Sequence, residues 1–200
     1  RGLDEDSYLV FVTRNGTVKR MSQAALKNIR ANGIRALNLD EGDELISVIQ
    51  TGGDENILIA THDGMSVCFN EQDARPMGRT AVGVRGIKLR GIGAGSTSAG
   101  SALLTITEKG YGKRTPVEEY SVHGRGGLGI KNYNVTDKTG KIADVKVVND
   151  EDDILVITDD GTIIRMPVSD ISVIGRVSQG VRVMRLTGDA KVISIAPTDK

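Results

Sequence analysis

The residues of this chain best suited to chemistry are arginines and lysines that recur with fixed spacing. The pattern Gly-Arg-x-x-x-Gly-Val-Arg occurs at residues 78–85 and again at residues 175–182. Guanidinium groups on loops whose glycines permit close approach are suited to binding phosphate groups. The chain has 26 basic and 26 acidic residues and a formal net charge of zero. Only the placement of the cations can therefore favour an anionic partner.

Catalytic and metal chemistry finds little support among the other residues. His62, His123 and Cys68 are the only histidines and cysteine, and they are too few for a typical zinc site. The Gly-x-Gly-x-x-Gly spacing at residues 124–129 lacks the strand and helix that a dinucleotide site needs on either side. No carboxylate, serine or histidine recurs in a catalytic arrangement. We therefore expect no active site, no metal and no cofactor.

The recurring cations belong to a repeat of about fifty residues. In each copy a β-branched apolar run ends in a tight turn, and its glycine is Gly16, Gly64, Gly110 or Gly161. Turns such as Asn-Gly and Asp-Gly favour two-residue hairpins, because glycine readily adopts the positive φ that they need. A second strand follows each turn, and after a long loop a further glycine opens a third strand. These third strands are predicted at residues 33–36, 83–86, 127–130 and 180–183.

Four short strands in each repeat predict an all-β, β-propeller-like fold of four blades. We place the blades at approximately residues 1–52, 53–100, 101–149 and 150–200 of a single domain. A fourth strand closes three of the copies. In the second copy it is replaced by residues 91–101, which are rich in glycine and serine. That composition predicts a mobile loop or linker.

Basic and acidic residues are separated within every repeat. The segments that run from the hairpin glycine through the long loop contain 18 of the 26 basic residues but only 5 of the 26 acidic ones. Because equivalent positions of a repeat lie on equivalent faces, the cations should form one continuous strip. Such a strip, without elements that read bases, suits the phosphate backbone of double-stranded DNA. A curved strip would also bend the duplex.

Long stretches of the chain resemble the C-terminal domain of the DNA gyrase A subunit. The most specific are NLDEGDELI at residues 38–46, RPMGRTAVGVRGI at 75–87, GYGKRTPVEEY at 110–120 and ISVIGRVSQGVR at 171–182. The resemblance covers nearly the whole chain. The C-terminal domain of the topoisomerase IV A subunit is the nearest relative of this family.

The resemblance implies a β-pinwheel, in which neighbouring blades exchange a strand, and DNA wrapped around its rim. In the parent enzyme, a type IIA topoisomerase, wrapping supports ATP-driven negative supercoiling, whereas the cleavage and ATPase sites lie in other domains. The resemblance therefore implies a non-catalytic accessory domain. Its partners would be double-stranded DNA, the rest of the gyrase A subunit, and the gyrase B subunit. Its place would be the bacterial cytoplasm near the nucleoid, and the lack of a membrane-length apolar run agrees.

Two features depart from the family pattern. The family's domain usually has six blades, whereas four are visible in this sequence and match the later ones. Its first blade usually carries a box of the form Gln-Arg-Arg-Gly-Gly-Lys-Gly. The closest stretch in this chain is a degenerate copy that keeps four of the seven positions and loses two cations. It consists of His123, Gly124, Arg125, Gly126, Gly127, Leu128 and Gly129.

Nine cations are predicted to contact DNA phosphates. They are Lys19, Arg20, Arg79, Arg85, Lys113, Arg114, Arg125, Arg176 and Arg182. Two other functions stay open at this point. The chain could be the C-terminal domain of a topoisomerase IV, or a propeller-like platform that binds another protein through its acidic turns.

Overall fold

The computed structural model describes residues 6–198, and its extended elements are fifteen β-strands in four antiparallel sheets. The strands are β1 (Tyr8–Thr13), β2 (Thr17–Ser22), β3 (Leu45–Thr51), β4 (Asn56–Thr61), β5 (Met65–Asn70), β6 (Val84–Arg85), β7 (Gly91–Ser96), β8 (Ala102–Thr107), β9 (Tyr111–Pro116), β10 (Ile130–Lys131), β11 (Ile142–Val148), β12 (Asp153–Thr158), β13 (Ile163–Pro167), β14 (Val181–Arg182) and β15 (Val192–Thr198). The helical elements are single 3₁₀ turns at Gln23–Leu26, Glu71–Asp73, Thr97–Ala99, Val117–Glu119 and Val168–Asp170. The predicted all-β class is confirmed.

Each sheet is one blade, and three of the four blades take their outermost strand from the next repeat. From the inside outwards the strand orders are β3-β1-β2-β6, β7-β4-β5-β10, β11-β8-β9-β14 and β15-β12-β13. The inner strands β3, β7, β11 and β15 pack against one another in that order. The strands β6, β10 and β14 each follow a long loop that crosses back to the preceding blade. This strand exchange is the expected feature of a β-pinwheel.

The hairpin glycine of each of the first three blades is also the point at which the next repeat attaches. Gly16 has a φ of 83°, which the predicted hairpin requires. The amide groups of Gly86 and Ile87 both donate to its carbonyl oxygen, at 2.8 and 3.1 Å. A Cβ atom on Gly16 would lie 2.4 Å from the Ile87 carbonyl oxygen. The same double contact recurs at Gly64 and Gly110. A side chain at any of these positions would therefore obstruct the junction between blades.

The hydrophobic core lies between the blades. Successive side chains of a strand point to opposite faces of its sheet, so a strand between two blades is apolar on both faces. In β4, Ile57 and Ile59 pack towards the first blade, whereas Leu58 and Ala60 pack towards the third. All four side chains are completely buried. This arrangement explains why the strand has a continuous apolar sequence instead of an alternating one.

The expectation that residues 91–101 form a mobile loop or linker is wrong. Residues 91–96 form β7, which pairs with β4 and closes the second blade. A Cβ atom on Gly93 would lie 2.8 Å from the Val145 side chain, and one on Gly95 would lie 2.7 Å from that of Val147. Glycine occurs here because the inner strand β11 passes very close. The backbone ladder holds β7 in place without side chains.

Two of the four third strands predicted from the sequence differ from those in the structure. In the third repeat the exchanged strand is Ile130–Lys131, so its opening glycine is Gly129 and not Gly127. In the first repeat residues 33–36 are not a strand. Ile34 and Ala36 instead pack against Phe11 and its neighbours on the outward face of the first blade. No earlier blade is available within residues 6–198 for this segment to pair with.

Candidate nucleic-acid interface

The exchanged strands place cations at equivalent points on the outer edge of three blades. Each strand begins after a glycine that lies against the backbone of the receiving blade; a Cβ atom on Gly129 would lie 2.1 Å from the Ser66 carbonyl oxygen. This close contact fixes the register of the two residues that follow. The second of them is a cation with an exposed side chain in every case, namely Arg85, Lys131 and Arg182. We call these three residues the strand cations.

The loop before each exchanged strand carries a second cation four residues ahead of the glycine. With Gly129 as the reference, the loops at residues 78–85, 124–131 and 175–182 share the pattern Gly-Arg-x-x-x-Gly-(Val/Ile)-(Arg/Lys). The degenerate box is therefore a third copy of the motif that the sequence showed only twice. We call Arg79, Arg125 and Arg176 the loop arginines.

Two of the loop arginines are tethered beside a strand cation. Arg125 donates from Nη1 to the carbonyl oxygen of Arg85 at 3.1 Å, and from Nε to that of Asp73 at 2.9 Å. Arg176 donates from Nη1 to the carbonyl oxygen of Lys131 at 2.6 Å. The structure thus brings Arg125 to Arg85, and Arg176 to Lys131, by the same contact. Two pairs of cations are built in the same way at successive blades.

The degenerate box forms a strap across the outer edge of the first two blades. His123 donates its amide to the Cys68 carbonyl oxygen at 2.8 Å, and Gly126 donates to that of Gly86 at 2.6 Å. The backbone amide of Lys88 in turn donates to the carbonyl oxygen of Gly127 at 2.9 Å. Leu128 is 59% exposed. The strap therefore contributes Arg125 as its cation, while its other residues supply backbone contacts.

The strand cations have no carboxylate partner among residues 6–198, and neither does Arg79. Two cations near the hairpin turns differ. Arg14 pairs with Glu44 at 2.7 Å, and Lys141 pairs with Asp63 at 3.0 Å. Unpaired, exposed cations are the ones that can bind an external anion without first losing an internal partner. The outer edge is therefore a surface suited to phosphates.

Four of the nine predicted cations do not lie on this surface. Lys19 and Lys113 are completely buried, and Arg20 and Arg114 are only 6% exposed. They lie on β2 and β9, directly beneath the loops that cross from the next blade. That covering loop is the physical reason for their burial. The prediction that these four residues contact phosphates does not fit their burial, and we remove them from the interface.

The two buried arginines hold blades together. Arg20 pairs with Glu71 at 2.9 Å, donates to the Gly53 carbonyl oxygen at 3.0 Å, and stacks 3.9 Å from the centre of the Tyr8 ring. Arg114 donates to the carbonyl oxygen of Ile171 at 2.7 Å and also pairs with Asp150. Each arginine joins its own strand, β2 or β9, to loops of the following repeat. It does so on the face of the sheet opposite to the lysine that precedes it in the sequence.

The two buried lysines have backbone carbonyl groups as their main partners. Lys19 donates from Nζ to Ala36 and Arg79, and Lys113 donates to Gly175, Arg176 and Ser178. Burial lowers the pKa of Lys113 to about 8, with Glu119 acting in the opposite sense and Arg176 lowering it further. Burial lowers the pKa of Lys19 as well.

A basic cleft that the sequence did not predict lies beside Arg182. The cleft has a volume of about 550 Å³, and Lys109, Lys138 and Lys191 line it together with Tyr111 and Asp189. Arg182 donates to the Tyr111 hydroxyl at 2.7 Å, and Lys138 lies 5.5 Å from the centre of that ring. Lys131 was also left out of the predicted contacts. Its place in the repeat becomes visible once Gly129 is taken as the opening glycine.

Other kinds of site find no support in the part of the chain that the structure describes. Residues 6–198 contain no cluster of three histidine, cysteine or acidic side chains that could hold a metal ion. They also contain no helix of the length and apolarity needed to span a membrane.

Four blades, three of which have an exchanged outer strand, define the chain as a β-pinwheel. A family model described as the DNA gyrase C-terminal domain, a beta-propeller, matches residues 7–51, 55–91, 101–149 and 152–199. The chain belongs to this DNA gyrase C-terminal domain family.

Relatives and solved structures agree with this assignment. The A subunit of DNA gyrase from Staphylococcus epidermidis is 46% identical over 196 residues, which cover 95% of this chain and 22% of that protein. The chain thus spans less than a quarter of that relative's length. A structure of the DNA gyrase A C-terminal domain aligns with a TM-score of 0.87 at 26% identity, covering 98% of this chain and 67% of the other. A C-terminal domain of DNA topoisomerase IV aligns with a TM-score of 0.91 at 25% identity, covering 100% and 64%.

Proposed function

We propose that this chain binds double-stranded DNA along its outer edge and bends it, without catalysing a reaction itself. One observation carries the proposal: exposed cations without carboxylate partners recur at equivalent points of successive blades. Arg85, Lys131 and Arg182 occupy these points, and two of them have a loop arginine tethered beside them. Phosphates recur regularly along a duplex, so a repeated cation is a suitable partner for them.

The proposed contacts are independent of base sequence. The interface has no helix that could enter a major groove, because the described helical elements are single 3₁₀ turns. Phosphate contacts alone fix the position of a duplex but do not read its sequence. We therefore expect one affinity for duplexes of different sequence, apart from differences in how easily each can be bent.

We further propose that the four blades act as one domain of a longer polypeptide, the A subunit of a type IIA topoisomerase. In this role the bent DNA supports negative supercoiling, in the bacterial cytoplasm, by the assembly of the gyrase A and B subunits. Identity of 46% to a gyrase A subunit supports this proposal. The C-terminal domain of topoisomerase IV is the second candidate, and the TM-score of 0.91 favours it.

A titration of labelled linear duplex with this chain tests the DNA-binding proposal. Each phosphate contact contributes about 0.9 to the slope of log affinity against log salt concentration. With the three strand cations and three loop arginines all engaged, we expect a slope of about −5 and a loss of roughly 10³-fold between about 50 and 200 mM salt. Absence of binding at the lowest salt concentration, or a slope near zero, would contradict the proposal.

A further inference from the structure

The environment of Lys113 is unusual for a lysine, because the described partners of its ammonium group are uncharged. Nζ donates to the carbonyl oxygens of Gly175 at 2.9 Å and Ser178 at 3.3 Å, to that of Arg176, and to the Ser178 hydroxyl at 3.2 Å. It also lies 4.8 Å from the centre of the Tyr133 ring. The side chain is completely buried. All the oxygen acceptors belong to a single loop, the one that carries Arg176.

Lys19 occupies the same position two blades earlier. Its ammonium group donates to the carbonyl oxygen of Arg79 at 2.9 Å and to that of Ala36 at 2.6 Å. It is also completely buried. Each buried lysine therefore contacts the backbone of one loop arginine.

The fold itself does not require a lysine at this position. Val67 takes the place in β5 of the second blade, where it is buried, and Ile164 takes it in β13 of the fourth. An ammonium group without a carboxylate partner is expensive to bury, whereas an apolar residue of similar size is not. Something other than packing must therefore favour Lys19 and Lys113.

The loop that lies over Val67 also differs in sequence from the loops that lie over the two lysines. Over Val67 the loop is Gly-Arg-Gly-Gly-Leu-Gly at residues 124–129, and its arginine is held through its own side chain at two carbonyl groups. Over the lysines the loops are Gly-Arg-Thr-Ala-Val-Gly at residues 78–83 and Gly-Arg-Val-Ser-Gln-Gly at residues 175–180. Each lysine lies beneath a loop whose backbone carbonyl groups accept from its ammonium group.

We propose that Lys19 and Lys113 are positioning residues for the DNA-binding edge, which hold the backbone of Arg79 and Arg176 so that both guanidinium groups face outwards. This inference rests on the proposed function. At Arg176 both backbone groups are fixed, since its carbonyl oxygen accepts from Lys113 and its amide donates to Glu119 at 3.1 Å. The side chain then reaches the Lys131 carbonyl oxygen. Lys113 acts on DNA through Arg176 and does not touch it.

A double-mutant cycle on duplex binding tests the proposal. The four proteins are the parent chain, Lys113→Met, Arg176→Gln and the double variant. Methionine keeps the length and packing of the lysine but removes its donors. We expect each single variant to weaken binding by about 8-fold at 0.1 M salt and to lower the salt slope by about 0.9, the contribution of one phosphate contact. We expect the double variant to bind no more weakly than Arg176→Gln alone.

The cycle separates the positioning role from a purely structural one. Lys113 has no exposed surface, so a lower salt slope for Lys113→Met would show that a contact elsewhere has been lost. Unchanged affinity for Lys113→Met, or losses that multiply in the double variant, would overturn the inference while leaving the DNA-binding proposal intact. No effect of Arg176→Gln would overturn the inference too, and absence of binding by the parent chain would overturn the proposed function itself.

The first blade provides an independent repeat of the experiment. Lys19→Met and Arg79→Gln form the same cycle, and we expect the same outcome at a site distant in the sequence. Thermal unfolding of each variant, followed by circular dichroism, shows that the proteins compared are folded. If Lys113→Met does not fold, the Lys19 cycle decides, and additive losses there overturn the inference.

Discussion

Replacing Arg85, Lys131 and Arg182 together with glutamine is expected to lower the affinity for duplex DNA by about 500-fold at 0.1 M salt. The three side chains are exposed and have no carboxylate partner within the described residues. Each change removes one of the proposed phosphate contacts and retains most of the side chain. The slope of log affinity against log salt concentration should fall by about 2.7, and unfolding should be almost unchanged. Titration of labelled duplex over a salt series measures both quantities.

A matched variant separates this effect from that of net charge. Replacing Arg14, Lys141 and Lys146 with glutamine also removes three positive charges. These cations face carboxylates, at distances of 2.7, 3.0 and 3.9 Å. We expect this control to weaken binding by less than about 3-fold, because these cations are not among the proposed phosphate contacts. Equal losses in the two triple variants would mean that the interface has been placed on the wrong surface.

Arg20→Met is expected to destabilise the fold strongly while leaving DNA binding intact. The change leaves the buried Glu71 carboxylate without its cation, and breaking a buried ion pair costs about 3–5 kcal/mol. Glu71 keeps hydrogen bonds from Thr51 at 2.7 Å, Gly53 at 3.0 Å and Glu55 at 2.9 Å, so the lower end of that range applies. Denaturant unfolding measures the loss. Affinity for duplex, measured where the variant is folded, should change by less than about 2-fold because Arg20 is not at the surface.

Arg14→Met is the control for this second experiment. Its ion pair with Glu44 is exposed, with 36% and 59% of the two side chains accessible, and such pairs contribute about 0–1 kcal/mol. A loss of DNA affinity for Arg20→Met comparable to that of Arg176→Gln would show that Arg20 supports DNA binding, directly or through a neighbouring residue. A small loss of stability would instead show that the Arg20–Glu71 pair does not join the blade to its neighbouring loop.

Much of the blade architecture could be predicted from local sequence, because it depends on local rules. The hairpins follow from a glycine at each turn, and Gly16, Gly64, Gly110 and Gly161 all have a positive φ. The strand exchange was predicted from the resemblance to a known family. Periodicity alone could not have done so, because β6, β10 and β14 are only two residues long and pair far from their own repeat.

The features that could not be predicted from the sequence depend on how closely neighbouring blades approach each other. A segment of glycine and serine is normally a linker, yet Gly93 and Gly95 are there because Val145 and Val147 leave no room for a side chain. Lysine and arginine in a strand are normally exposed, yet Lys19 and Lys113 are covered by a loop from the next repeat. Neither effect has a signal within the segment itself.

The energetics of bending decide how many contacts the outer edge must make. Bending a site of about 20–30 base pairs through 40–90° costs about 1–6 kcal/mol. Each phosphate contact contributes about 1 kcal/mol at 0.1 M salt by release of counterions. Five or six contacts are therefore enough to offset a substantial bend. The three strand cations and three loop arginines together would provide that number, whereas a single blade would not.

The most direct test of the central claim is energy transfer between dyes at the two ends of a linear duplex, measured as this chain is added to saturation. If successive blades hold the phosphates along a curved edge, the ends come closer and energy transfer increases. The increase should be absent with the variant that lacks Arg85, Lys131 and Arg182, even at concentrations where it binds. Saturated binding with unchanged transfer, or an equal increase with that variant, would contradict the account.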